Sequence, residues 1–336
     1  MARIEMNFGT RFAVEGASAP TTFEIFVTHG FNAFEVGAIT QTLTLANEIT
    51  QTPLFTWRFV SNTPGFVDGA GGMMLRAEPA IPDHGHLSAM IVVGGAQVDA
   101  AHWLTRARQM KRKQLVVALL SDAATAYIAA TGAPSGRVTT HWHDASLLNE
   151  TGYHPDLTDR LSEKSDGIVT AAGVGATAEL IIGFISPLLD TRQVAELGNR
   201  LLLPTIRKSD APQPRALSGN PSLFDNQVAK VIALMEETIA DPLGMRALTE
   251  EVGLSTRQVE RLFREVFQES PARFYKQLRT RKAWGMIEET LIPLPDIAAA
   301  TGFKTAGTMA KAVQSVYGET PTKLRARKNR TLLRFA

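Results

Sequence analysis

The last third of the chain repeats itself. At an offset of 50 residues, Val259, Arg261, Phe263, Phe267, Ser270-Pro271 and Phe274 are answered by Met309, Lys311, Val313, Tyr317, Thr320-Pro321 and Leu324, each position keeping its chemical type. Both copies must therefore build the same local unit. Ser or Thr before Pro supplies a helix N-cap followed by proline at the first helical position. Upstream of each lies a short apolar helix that ends in glycine, at 248–252 before Gly253 and at 297–301 before Gly302. Ser255 and Thr305 then open the next helix. Helix, glycine turn, polar cap and basic amphipathic helix spell a helix-turn-helix, here twice in register.

Charge suggests what the pair would bind. The chain holds 35 Lys+Arg against 33 Asp+Glu, but from Asp225 onward the count is 18 against 13. After Glu319 no acid offsets Lys323, Arg325, Arg327, Lys328, Arg330 and Arg334. A polyanion is the expected partner of this end, and two such motifs make that partner double-stranded DNA.

The stretches GLSTRQVERLFREVFQESPARFYKQLRTRKA and IAAATGFKTAGTMAKAVQSVYGETPTKLR resemble the AraC-type DNA-binding domain. The resemblance implies that Arg257, Gln258, Glu260, Arg261 and Arg264 present the first recognition surface, with Val259, Leu262 and Phe263 buried. In the second motif the outward positions are Ala306, Gly307, Thr308 and Lys311, of which Thr308 and Lys311 alone can hydrogen-bond a base edge. Gly307 costs that helix about 1 kcal/mol of propensity, and Val313 stands where the family carries a bulky aromatic. Arg279, Arg281 and the basic tail are assigned to phosphates.

The first two thirds read differently. Apolar runs at 22–28, 56–61, 89–93 and 115–120 predict strands, and amphipathic stretches at 33–50, 97–111, 175–189, broken at Pro187, and 192–203 predict helices. Strands alternating with helices predict a doubly wound α/β domain, followed by the all-α domain with its two helix-turn-helix motifs. The expected divisions are an N-terminal extension (1–21), an α/β domain (22–206), a proline-rich linker (207–224), the DNA-binding domain (225–326) and a basic tail (327–336). The linker reads as semi-extended chain and not as a packed element.

IVVGGA (91–96), GRVTTHW (136–142) and TAAGVGATAEL (170–180) resemble the class I glutamine amidotransferase-like superfamily, specifically the PfpI-like sensor half of GlxA-type AraC regulators. The resemblance implies a flavodoxin-like, amidotransferase-like sandwich. It also implies a cysteine on the turn after a strand, with His141 nearby and the Gly94 and Gly95 N–H groups facing it. This chain has no cysteine at all. Its turn reads Leu119-Leu120-Ser121-Asp122-Ala123; counting back from Gly132 and Gly136 puts Asp122 at the nucleophile position, and counting from His141 puts Ser121 there.

A serine without a demonstrated base, or an aspartate beside a second acid at Glu35, is a poor nucleophile. Glu35, Gly94, Gly95, Ser121, Asp122, His141 and Trp142 are instead expected to line a binding site in which carboxylates meet a cationic ligand and Trp142 offers a ring face. Against this stand two plain readings: Asp122 as a helix cap, and His141 and Trp142 as core residues. No histidine pair has helical ligand spacing, so no metal is expected, nor any cofactor.

The expected protein is a cytoplasmic transcription regulator, without signal peptide or membrane span, whose first domain binds a small-molecule inducer without catalysis. Homodimerisation and contact with RNA polymerase, as an activator, follow from the resemblance. Two alternatives stay open: a DNA-binding protein fused to a hydrolase or glyoxalase-like domain using Ser121 or Asp122, and a ligand-independent regulator whose α/β half is a dimerisation scaffold.

Overall fold

The computed structural model describes residues 20–80, 87–95, 99–131, 136–150, 156–214, 225–289 and 292–325. Nearly all of the N-terminal extension, Ala96, the linker from 215 to 224 and residues 326–336, with Arg327, Lys328, Arg330 and Arg334 of the basic tail, lie outside them. The chain divides into two compact units, Met1–Gln213 and Pro214–Ala336.

The first unit is built on β1 (Thr21–Phe26), β2 (Phe55–Ser61), β3 (Gly65–Asp68), β4 (Met74–Pro79), β5 (Leu87–Val92), β6 (Val116–Leu120), β7 (Ser162–Ser165) and β8 (Ile168–Ala171). They form one sheet in the order β3-β4-β2-β1-β5-β6-β8-β7. The edge strands β3 and β7 are antiparallel to their neighbours and the inner pairs are parallel. Helices α1 (Ala33–Thr50), α2 (Leu104–Arg112), α3 (Asp122–Thr131), α4 (Trp142–Glu150), α5 (Thr177–Ile185) and α6 (Thr191–Arg200) complete the unit.

Alternation along β1 explains the layering. Phe23 and Ile25 enter one core with Ile39 and Leu43 of α1 and Ile181 of α5. Phe26 enters the other with Ala107 of α2 and Ile128 of α3. Two cores, one on each face, make the expected doubly wound sandwich. Glu24 points to the second face, fully buried, and is neutralised there by the Arg106 guanidinium.

Two expectations need correction. Residues 207–213 are packed into the first unit and not extended. Arg207 forms an ion pair with the buried Glu179, and Gln213 is buried among the backbone groups of 139–142 and 159–160. Proline-rich composition set the expectation, whereas two polar side chains with specific partners decide the structure. The helix expected at 97–111 is a 3-10 turn at Ala100–His102 followed by α2, whereas the break expected at Pro187 is present, α5 giving way to a 3-10 turn at Ser186–Leu188.

The second unit is helical: α7 (Asn226–Glu237), α8 (Met245–Val252), α9 (Thr256–Phe267), α10 (Pro271–Glu289), α11 (Leu294–Ala300) and α12 (Ala306–Tyr317). Val259, Phe263 and Phe274 pack with α7 and α8 in one core; Met309, Val313 and Leu324 pack with Ile297 and Ala283 in another. The long helix α10 contributes to both. The sequence repeat is thus a repeat of two small cores on one shared helix.

Candidate functional site

At the carboxyl ends of β5, β6 and β8 the chain builds a tight polar cluster. β6 is buried throughout and delivers Ser121 at φ 38°, a left-handed conformation that costs a non-glycine residue about 1–3 kcal/mol. Ser121 therefore occupies the elbow, and Asp122 begins α3. The Ser121 N–H donates to the Ala171 carbonyl (3.0 Å), and its hydroxyl donates to Glu35 Oε1 (2.8 Å). Glu35, fully buried in the first turn of α1, also accepts from the Val174 N–H (2.8 Å) and the Gly94 N–H (2.9 Å). Burial pushes its pKa up, while the three hydrogen bonds pull against that rise. A Cβ at position 94 would lie 1.9 Å from Ser121 Oγ, so only glycine fits.

Asp122 Oδ2 accepts from the Gly95 N–H at 2.9 Å. Its pKa is raised, first by burial and then by the Asp144 charge. His141 is half-buried, and desolvation lowers its pKa, leaving the ring neutral at pH 7. Its Nδ1 accepts weakly from the His143 N–H (3.4 Å), which places the ring proton on Nε2. Trp142 is 36% exposed, with its ring 5.5 Å from that of His141.

The structure gathers the expected residues but redistributes their roles. The Gly94 and Gly95 N–H groups face carboxylates of the chain itself. Glu35, expected to meet a cationic ligand, is sealed beneath three donors and cannot reach one. Ser121 is 4% exposed and, among the described residues, makes no hydrogen bond to His141. Asp122, His141 and Trp142 alone of the seven keep side-chain surface open. Trp142 is not a core residue. Sequence reasoning missed Val174, Thr140 and Gln213: Thr140 Oγ1 donates to the Ser121 carbonyl (3.0 Å), and Gln213 Oε1 accepts from the Trp142 N–H (2.8 Å). Thr140 carried a signal in the T-T-H segment, whereas Gln213 sat in what reads as linker.

The second unit carries the other surface. α8 and α9 turn at Gly253 (φ 68°), α11 and α12 at Gly302 (φ 69°), and each second helix opens with a reciprocal capping box, Ser255 with Gln258 and Thr305 with Thr308. Arg257, Glu260, Arg261 and Arg264 are exposed along α9, where Val259 and Phe263 are buried. Lys311 is exposed on α12.

Four assignments change. The Gln258 carbonyl and the Thr308 hydroxyl are engaged by their caps. Ala306 is partly packed on the core. Arg279 does not present its guanidinium to a phosphate: Nε donates to the Thr301 carbonyl (3.0 Å), Nη2 to the Gly302 carbonyl (2.5 Å), and the group stacks 4.6 Å above the Phe303 ring. Arg281 is exposed.

A model of the helix-turn-helix domain family matches residues 248–327. Over 304 residues, 88% of this chain and 89% of the other, the sequence is 24% identical to the HTH-type transcriptional regulator CdhR of Pseudomonas aeruginosa. It is also 24% identical to the HTH-type transcriptional regulator GlxA of Rhizobium meliloti, over 88% of this chain and 93% of that one. An AraC family transcriptional regulator from Pseudomonas putida, known from its crystal structure, is similar at a TM-score of 0.47 and 16% identity, covering 54% of this chain and 100% of that one. No described helix is long and apolar enough to cross a membrane. With paired, capped helix-turn-helix units in place and regulators matching along most of its length, the chain is a DNA-binding helix-turn-helix transcriptional regulator, similar to those of the AraC type.

Proposed function

We propose that the amino-terminal unit is a sensor. A small cationic, nitrogen-containing metabolite binds at the mouth of the elbow, between the Asp122 carboxylate and the Trp142 ring, and is not chemically changed. One observation carries this reading: the Gly94 and Gly95 N–H groups donate to Glu35 and Asp122, so the place where an oxyanion would form already holds carboxylate oxygen. A developing anion would meet negative charge there, whereas a cation is attracted. The exposed indole adds about 0.5–2 kcal/mol for a desolvated ammonium group.

The short Ser121–Glu35 contact favours the competing hydrolase reading. Burial of Ser121 and the engaged N–H donors weigh against it. In the third reading, the α/β half serves dimerisation alone. The regulator acts in the cytoplasm as a homodimeric activator that contacts RNA polymerase, since pairing two readers raises affinity through effective concentration. Arg257, Glu260, Arg261 and Arg264 read base edges, Lys311 supports them from the second motif, and Arg281 contacts phosphate.

Thermal unfolding of the full chain with choline, glycine betaine and free arginine tests the sensor, because a native-state ligand raises stability by RT ln(1+[L]/Kd). One of the three should raise the midpoint, and Asp122→Ala should abolish the rise. No rise with any of them would leave the scaffold reading. Turnover of small esters, amides or glyoxals that is lost in Ser121→Ala would establish the hydrolase.

A further inference from the structure

We propose that Gln213 is the positioning residue that couples the elbow to the chain leaving the first unit, so that ligand occupancy is passed to the DNA-binding unit through it. The inference rests on the sensor reading above and adds the route. Gln213 is the last residue of the first unit and is 6% exposed, although it lies in a proline-rich run.

Every polar group of its side chain is engaged. Oε1 accepts from the Trp142 N–H (2.8 Å), and Nε2 donates to the Thr140 carbonyl (2.8 Å), the Arg160 carbonyl (3.0 Å) and Thr139 Oγ1 (3.1 Å). Its own N–H donates to the Asp159 carbonyl (2.8 Å). The chain before it is tied down as well, with the Ala211 carbonyl accepting from the Leu161 N–H and the Ser209 carbonyl from the Ser162 N–H.

The Trp142 N–H is one of the donors that a helix start leaves without a helical partner, so Gln213 caps α4 from outside its own sequence. Thr140 links the same cluster to the elbow, donating from Oγ1 to the Ser121 carbonyl at 3.0 Å. The elbow is therefore two residues away from the linker, through Thr140 and Gln213. Pro212 and Pro214 flank Gln213, and each fixes its own φ while Pro214 also restricts Gln213. A displacement of the 140–142 backbone cannot be absorbed by rotation within that tripeptide. It must either break the amide's hydrogen bonds or move the chain at 214.

The test uses the full chain with Gln213→Ala and Gln213→Glu. The glutamate keeps an acceptor for the Trp142 N–H but turns lone pairs toward the Thr140 and Arg160 carbonyls. Amide hydrogen exchange at Trp142 should accelerate about tenfold in Gln213→Ala, the equivalent of one lost hydrogen bond. Both variants should keep the thermal shift given by choline, glycine betaine or arginine and the operator affinity measured without them, yet lose the probe-induced change in operator affinity.

Exchange at wild-type rate in Gln213→Ala, a retained probe response, or loss of probe binding in both variants would overturn the coupling role. Should no probe bind the wild type, the cationic-ligand reading alone fails. The route is then decided by Thr140→Val, which should loosen residues 209–213 when Gln213 is present and leave their exchange unchanged in the Gln213→Ala background. Equal loosening in both backgrounds would refute it.

Discussion

Replacing Arg279 by alanine removes a side chain that α10 sends across to the turn of the second helix-turn-helix. The Thr301 and Gly302 carbonyls at the end of α11 have lost their helical partners, and Arg279 supplies the donors at 3.0 and 2.5 Å. Gly302 sits at φ 69°, with the Ile239 carbonyl and Pro242 so close that a Cβ would fall 2.5 Å from the former, so the turn has no space to rearrange. Hydrogen bonds from a charged donor contribute about 1.5–3 kcal/mol each, and a half-exposed pair belongs at the low end of that range. The ring contact with Phe303 adds about 0.5–1 kcal/mol. The sum for Arg279→Ala is about 3.5–4 kcal/mol, and Arg279→Lys should recover little because an ammonium cannot span both carbonyls. Urea unfolding of the full chain reads the stability, and hydroxyl-radical footprinting on a bound operator reads the consequence: protection lost over the second segment and kept over the first. An unchanged unfolding midpoint, with affinity reduced equally on all sequences and the salt slope lowered by about one, would show a phosphate contact and refute the reasoning.

Arg261→Ala should cost about 1–3 kcal/mol on the operator and relax preference at one base position, whereas Arg281→Ala should weaken operator and scrambled duplexes alike; competition binding across a salt series separates them. Gly94→Ala should destabilise the first unit by about 2 kcal/mol or more, because its methyl group would meet Ser121 Oγ at 1.9 Å, and a wild-type midpoint in thermal unfolding would contradict this. The folded-state pKa of Asp122 is raised, so its contribution to stability is fully present below the ordinary carboxylate pKa and is lost as pH rises through the folded value. Measured as the difference between wild type and Asp122→Asn, stability should fall as pH rises from the acid side of that window to neutrality; a difference that grows with pH would show the sign to be wrong.

The parts of the fold that were legible in the sequence are those in which one residue type admits one role. Ser-Pro and Thr-Pro at a fixed offset, glycine before each recognition helix, and the apolar runs of β5 and β6 placed both helix-turn-helix units and the core of the sheet. β7, with the sequence Ser-Glu-Lys-Ser, and the four-residue β3 carry no such signal; they are strands because a neighbour pairs with them. At the elbow the residue types were readable but the direction of each hydrogen bond was not. Whether the Gly94 N–H meets a substrate or a carboxylate depends on Glu35, which stands 59 residues upstream, and the Gly95 N–H is taken by Asp122. Arg279 misled for a similar reason: a basic residue on a DNA-binding unit reads as a phosphate contact until the carbonyls it caps are seen.

Binding of the full chain to a randomised duplex library, followed by saturation mutagenesis of the selected operator, tests the central claim most directly. α9 presents Arg257 and Arg261, each able to grip guanine with two hydrogen bonds, while α12 presents Lys311 beside Gly307 and a Thr308 hydroxyl engaged in its cap. One selected site with two protected segments, and sharp base preference under the first helix only, is expected. Uniform binding without base preference would contradict the assignment as a sequence-reading regulator, and a sharper preference under the second helix would contradict the division of labour between the two motifs.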